Sequence, residues 1–169
     1  QRSFNNFKIG TEKMPLEVIK ALTRLKKACA ISNNKLGKLT DEKKDLIVGA
    51  CDEILDHKHD SEFPLAVWQT GSGTQSNMNV NEVIAHIANK KIGDNIIHPN
   101  DDVNKSQSSN DTFPSAIHIA LKNMIDSELI EELENTEKVL ETLMEENKDI
   151  IKIGRTHLQD AVPLRLSQE

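Results

Sequence analysis

Tyrosine is absent, tryptophan occurs once and phenylalanine four times, so aromatic residues fill only 3% of the 169 positions. The core must therefore be built from Leu, Ile, Val and Ala, which argues against a β-sandwich. Seven glycines and five prolines are too few for collagen-like, low-complexity or turn-dense chains. No apolar run approaches the roughly 18 residues of a membrane span, which predicts a soluble chain with no membrane partner. The two cysteines, Cys29 and Cys51, stand apart in apolar helical patterns and form no C-x-x-C. They predict buried free thiols in a reducing compartment. No cluster of Lys and Arg is interleaved with aromatics, which argues against a nucleic-acid partner.

Hydrophobic residues make up 37% of the chain and the formal net charge is −6, from 21 basic and 27 acidic side chains. The acidity is local. From Asp126 to Asp149 there are ten acids against two lysines, Lys138 and Lys148, a pattern that reads as one solvated helix face. The chain opens on Gln1 instead of Met, and Pro163 to Glu169, with Ser167 as a cap, reads as the entry to a helix. These ends predict a fragment of a longer protein.

Apolar spacings of three and four predict a mainly α fold. After Pro15, Val18, Ile19, Leu22, Leu25, Ala28 and Cys29 define one helix face over Leu16 to Ile31. Thr40 caps a second helix with Asp41 and Glu42 in its first turn and Leu46, Ile47, Ala50, Cys51, Ile54 and Leu55 inward. These two helices are expected to pack together. Phe63 to Trp68 reads as extended chain, and a third helix is predicted from Asn77 to Lys91. Further helices are predicted from Thr112 to about Ile125 and from Ser127 to Lys148, the latter carrying Leu129, Leu133, Leu140 and Leu143 on one face. The lengthening of the helices near residue 110 predicts a small helical domain over 1–110 and the first part of a long-helix bundle over 111–169.

Three polar stretches stand out, each read as lying next to a helix start. Thr70 to Asn81 is TGSGTQSNMNVN, twelve residues without a charge. Neutral donors, glycines and a helix N-terminus together suit a small anion. His98 to Thr112 is HPNDDVNKSQSSNDT and Gly154 to Asp160 is GRTHLQD. Ordinary connections run about 2–6 residues, so the three stretches together predict a binding or catalytic site. His157 and His98 are the candidate general bases, whereas His86 and His118 fall in helical patterns and read as bystanders. The His57-Lys58-His59 string could ligate a metal, but no further ligand set accompanies it, so no metal site is predicted.

At these stretches the sequence resembles class II fumarase, the iron-independent fumarate hydratase of the fumarase/aspartase superfamily. The resemblance is carried by VWQTGSGTQSNMNVNEVIA (Val67 to Ala85), HPNDDVNKSQSSNDTFPSA (His98 to Ala116) and GRTHLQDAVPLRLSQE (Gly154 to Glu169). It implies reversible hydration of fumarate to (S)-malate in the tricarboxylic acid cycle, without a cofactor. It also implies a homotetramer around a central helical bundle, with active sites shared by three subunits, in the cytoplasm or, in a eukaryote, the mitochondrial matrix. By resemblance, Ser72, Gly73 and Thr74 contact substrate, Ser108, Ser109 and Asn110 hold a carboxylate with Thr156 beside them, and His157 activates water. His98, Pro99, Asn100 and Asp101 match a second, nearby dicarboxylate site, in which Asn95 stands where some fumarases have arginine.

The rival in the same superfamily, aspartate ammonia-lyase, typically has Asn in place of His98, Ser-Thr in place of Ser108-Ser109 and Gln in place of His157. All three positions favour the hydratase, which needs a base for water. A non-catalytic helical assembly module is the other alternative. The family's flexible loop with the proton-abstracting serine lies beyond residue 169, so the 169 residues alone are expected to be inactive.

Overall fold

In the computed structural model, which describes residues 2–6, 8–69 and 73–168, the helical periodicity becomes six α-helices and one β-hairpin. The helices are α1 (Arg2–Asn6), α2 (Leu16–Lys35), α3 (Asp41–Leu55), α4 (Thr74–Ile92), α5 (Ser109–Met124) and α6 (Ile130–Glu146). The hairpin strands are β1 (Ile151–Thr156) and β2 (Gln159–Arg165). The mainly helical expectation holds, and the hairpin adds to it. The chain divides into two compact units, up to Leu121 and from Lys122 onward, with the boundary in the last turn of α5.

In the first unit α2 and α3 pack on each other, as their apolar faces predict, and both meet α4. Thr40 caps α3 by accepting the Lys43 amide at 3.3 Å. Helix α4 is the centre of the unit. Val80, Val83, Ile84, Ala85, Ile87 and Ala88 are all buried, so apolar contacts surround it on most sides. Ile19, Leu22, Ile47, Ile54 and Ala116 complete the core from α2, α3 and α5. Cys51 is buried and Cys29 half-buried, both as free thiols. Burial pushes the Cys51 thiol up to about 12.

Helix α2 departs from its expected face. Ala28 is exposed, while Thr23, Lys26 and Asn33 are buried alongside the aliphatics. A lysine can take an inner position only if its ammonium finds acceptors. Lys26 Nζ donates to Asn104 Oδ1 and Gln107 Oε1, each at 2.8 Å, and Asn33 Nδ2 donates to the Lys105 carbonyl at 2.9 Å. These bonds fasten the connection after α4 to α2. A second clamp lies at Asp102, which accepts from Lys43 Nζ at 2.8 and 2.9 Å and from the His98 amide at 2.9 Å.

Phe63 to Trp68, expected to be extended, has one bridge pairing Lys13 with Ala66 and then turns helically over Val67–Gln69. Helix α4 starts at Thr74, three residues before its expected start, because Gly73 takes a left-handed conformation (φ +69°) and caps it. Helix α5 starts at Ser109 instead of Thr112. Ser108 supplies the cap: its carbonyl accepts the Thr112 amide at 2.9 Å and its hydroxyl accepts the Asn110 amide at 3.2 Å.

In the second unit a wide turn at Ile125–Leu129 leads into α6. No α6 residue is buried, and Ile130, Leu133, Val139, Leu140, Leu143 and Met144 are exposed. Beyond it, Ile151 pairs with Arg165 and Thr156 with Gln159 in antiparallel register, with an irregularity between Ile153 and Arg155. Gly154 sits at that irregularity, where a Cβ would come 2.7 Å from the Leu164 side chain. This hairpin corrects two expectations. The GRTHLQD stretch does not adjoin a helix start, and Pro163 to Arg165 belong to β2, leaving only a short turn at Leu166–Gln168.

Burial draws the Lys26 ammonium down to about 8 from an ordinary 10.5, against smaller opposing effects of Cys29 and Cys51. The unfolded chain then keeps this proton to higher pH than the folded one, so the Lys26 contribution to stability improves as pH rises from about 8 toward 10.5. Below pH 8 the burial penalty is fully present. Urea melts of the protein and its Lys26→Met variant at pH 7 and pH 10 should show the difference moving in favour of the wild type at the higher pH.

Candidate functional site

Two of the three polar stretches converge in the first unit at the start of two helices. The Thr74 hydroxyl lies 3.3 Å from the Ser109 hydroxyl, joining the first turn of α4 to the first turn of α5. Gly73 packs so closely that a Cβ there would collide with the Phe113 ring. Thr112 Oγ1, one turn into α5, reaches Asn77 Oδ1 on α4 at 3.3 Å and its own Ser108 carbonyl at 3.1 Å. Each helix start carries roughly half a positive charge from its unpaired amides. These two helix starts carry Gly73, the hydroxyls of Thr74, Ser108 and Ser109 and the amide of Asn110, with one carboxylate, Asp111, in the first turn of α5. Ser72 lies outside the described residues.

The His98 segment forms its own turn. Pro99–Val103 is one wide helical turn closed by the Asn104 amide on the Pro99 carbonyl at 3.1 Å. His98 caps it, its Nδ1 accepting the Asp101 amide at 3.1 Å. That acceptor role places the ring proton on Nε2, while a protonated ring would instead face Asp101 Oδ2 at 3.3 Å. Asn100 Nδ2 donates to Asp101 Oδ1 at 3.1 Å, so the polar side chains of this segment bond mostly to one another. Asp102 and Lys43 hold the turn in place from beneath, a pairing that nothing in the local pattern announced.

Between these two groups lies Asn104. Its Oδ1 accepts from Lys26 Nζ at 2.8 Å, Asn77 Nδ2 at 3.1 Å and Asn81 Nδ2 at 3.2 Å. Its own Nδ2 donates to the Gln107 carbonyl at 3.3 Å. Asn77 and Asn81 belong to the TGSGTQSNMNVN stretch and Asn104 and Gln107 to HPNDDVNKSQSSNDT, both predicted as parts of a binding or catalytic site. Their spacing, with Lys26 78 residues before Asn104, leaves no local signal of this cluster.

Thr156 and His157 lie in the second unit, at the tip of the hairpin. His157 (φ +52°) and Leu158 (φ +60°) form a two-residue turn with both central residues left-handed. Such backbone is strained for a bulky side chain and fixes the direction in which the imidazole leaves the turn. Arg155 and Asp160 pair across the hairpin at 2.9 Å, an exposed contact that adds little stability. The His57 and His59 rings are engaged elsewhere. His57 lies 2.8 Å from Asp60 and 2.6 Å from Lys20 Nζ, and His59 lies 3.3 Å from Glu53. Among the described residues no three His, Cys, Asp or Glu side chains gather as a metal-ligand group, and no helix is long and apolar enough to cross a membrane.

A sequence model of the lyase family matches residues 1–169. The chain belongs to the lyase family. Over its whole length this chain is 58% identical to a class II fumarate hydratase from Prochlorococcus marinus and 58% identical to one from Helicobacter pylori. It spans 38% of each of those proteins. Among solved structures, class II fumarase from Schistosoma mansoni superposes with a TM-score of 0.89 at 44% identity, covering 99% of this chain and 36% of that one. A Brucella melitensis protein described as fumarate lyase:delta crystallin gives 0.89 at 41% identity, covering 99% and 40%. The resemblance carried by the three motifs is thus matched along the entire chain.

Gly73→Ala meets both a left-handed backbone and the Phe113 ring, and should destabilise the protein by about 2–4 kcal/mol in urea melts. At the hairpin, Leu158→Gly removes the strain of a left-handed leucine, whereas Leu158→Ile increases it. Hydrogen exchange of the β1 and β2 amides should slow in the first variant and quicken in the second.

Proposed function

We propose that the full-length protein is a class II fumarate hydratase that interconverts fumarate and (S)-malate. The observation that carries this reading is the junction of the α4 and α5 N-termini, with Thr74 and Ser109 3.3 Å apart. Two helix dipoles aimed at one place, with glycine and hydroxyl side chains around it, favour a small carboxylate. In this reading Ser72, Gly73 and Thr74 contact substrate, while Ser108, Ser109 and Asn110 hold one of its carboxylates with Thr156. His98, Pro99, Asn100 and Asp101 form the second dicarboxylate site. The 58% identity to fumarate hydratases over the whole chain supports the assignment.

The difficult step, in the malate-to-fumarate direction, is transfer of a weakly acidic carbon-bound proton, next to a carboxylate, to the serine that the resemblance places beyond residue 169. The electron pair left behind spreads onto that carboxylate as an aci-carboxylate, and donors already in place stabilise it without reorganising. His157 then protonates the departing hydroxyl, or in the hydration direction takes a proton from the attacking water. Glutamine at position 157, as in aspartate ammonia-lyases, could do neither, which favours the hydratase over that alternative.

The proposed assembly is a homotetramer with active sites shared between subunits, its centre a helical bundle to which residues 111–169 contribute, with residues 1–110 as a smaller domain. The exposed leucines of α6 support a bundle position. The setting is the tricarboxylic acid cycle, in the cytoplasm or the mitochondrial matrix.

In ammonia-free buffer, the full-length protein should deplete fumarate ultraviolet absorbance while the 169-residue chain alone leaves it unchanged. His157→Asn should lower turnover about 10²–10⁴-fold. Full turnover in that variant would exclude His157 as the general acid-base group, and an inactive full-length protein would exclude the hydratase.

A further inference from the structure

Helix α3 stops on a histidine where glycine is usual. His57 is left-handed (φ +62°), its amide donating to the Ile54 carbonyl at 3.1 Å and the next amide, of Lys58, to the Glu53 carbonyl at 3.2 Å, a Schellman stop. The ring is engaged at both nitrogens. Nε2 lies 2.6 Å from Lys20 Nζ on α2, and Nδ1 lies 2.8 Å from Asp60 Oδ2. An ammonium only donates and a carboxylate only accepts, so both bonds have a fixed direction: Lys20 Nζ donates to Nε2, and Nδ1 donates to Asp60. The ring is therefore neutral and turns the lone pair of Nε2 to the lysine nitrogen. An ordinary surface ion pair would bring Lys20 directly to Asp60, whereas here the imidazole stands between them. Nucleophile, base and orienting carboxylate follow in the order of an acyl-transfer triad. The other charged groups nearby are engaged separately. Asp56 and Lys58, on either side of His57, pair with each other at 3.2 Å, and Glu53 holds His59 and Lys91. The arrangement is complete within residues 20–60 of the first unit.

We propose that Lys20 is an acylation site that the protein activates itself, with His57 as the base, Asp60 as the residue that positions His57, and an acyl phosphate as the acyl donor. In its uncharged form Lys20 Nζ attacks the acyl carbon. The C–N bond forms, the carbonyl electron pair moves onto oxygen, and the nitrogen becomes cationic. His57 Nε2 takes the surplus proton while Asp60 stabilises the imidazolium. Collapse of the adduct breaks the bond between the acyl carbon and the phosphate oxygen, and the imidazolium passes its proton to the departing phosphate. Amine and acyl phosphate become amide and hydrogen phosphate. Arg24, exposed and one turn further along α2, adds a cation that favours a phosphate-bearing donor over an uncharged one. No group at the α4–α5 junction takes part, so the inference does not depend on the hydratase reading.

The test is incubation of the full-length protein with acetyl phosphate, followed lysine by lysine in a mass spectrometer. Lys38, exposed and outside the cluster, is the internal reference. Lys20 should acetylate about 10²-fold faster than Lys38. His57→Asn keeps the left-handed turn, which asparagine tolerates, and should bring Lys20 to the Lys38 rate, and Asp60→Asn should bring it part of the way. The preference for Lys20 should shrink between pH 8 and pH 5, as the imidazole gains the proton that it has to accept, a trend that a purely structural histidine does not give. With an uncharged acetyl thioester the preference should be smaller. Lys20 reacting no faster than Lys38, a preference independent of pH, or one that survives His57→Asn would overturn the inference. Equal preference with both donors would overturn the acyl phosphate as donor. If His57→Asn does not fold, an unchanged Lys20 rate in Asp60→Asn overturns the inference instead.

Discussion

A single side-chain oxygen, Asn104 Oδ1, draws in donors from α2 and α4 at once. Most of what positions the candidate site depends on that convergence. The connection after α4 is long and polar, and without an internal anchor it would drift with solvent. Lys26 and Asn33 hold it from α2, Asn77 and Asn81 from α4, and the Lys43–Asp102 pair from α3. Because the same Asn77 also meets Thr112, the anchor fixes where α5 begins relative to α4. Aliphatic packing alone would leave that relation softer, since apolar contacts are non-directional while hydrogen bonds require both distance and angle.

The first unit therefore combines two kinds of order. Around α4 the core is conventional, with Ile, Leu, Val and Ala interlocked from four helices. Just beyond it lies a layer of buried amides and one lysine in which every displacement breaks a polar contact. The two helix starts rest on that layer, so the hydroxyl and amide groups there are held by an arrangement that tolerates little movement.

How much of this the sequence disclosed depended on the range of the interactions involved. The faces of α2 and α3, the Thr40 cap and the existence of α4 and α5 followed from spacings of three and four and from local capping chemistry. The start of α5 was misplaced because Ser108 and Thr112 are both good caps, and only the observed bonds to Ser108 distinguish them. The hairpin escaped notice because its turn, His157-Leu158, carries none of the Asn or Gly that left-handed turns usually demand. Lys26 was invisible for a different reason: its acceptors are remote in the chain, and a lysine on an amphipathic helix ordinarily marks the solvated side. Of the residues that the motif resemblance singled out, the contact between Thr74 and Ser109 could not be foreseen from spacing. It exists because α4 and α5 start side by side.

The apolar stripe of α6 has a consequence for how the protein becomes folded. A helix that buries none of its residues gains nothing from the hydrophobic effect within its own unit, and short isolated helices are marginal in water. Its leucines acquire burial free energy only when other helices cover them. Until then the acids that crowd Asp126 to Asp149 act as a kinetic safeguard. Their mutual repulsion slows indiscriminate sticking of exposed leucines, and only partners that mask the apolar stripe while leaving the charged flank in water relieve both strains together.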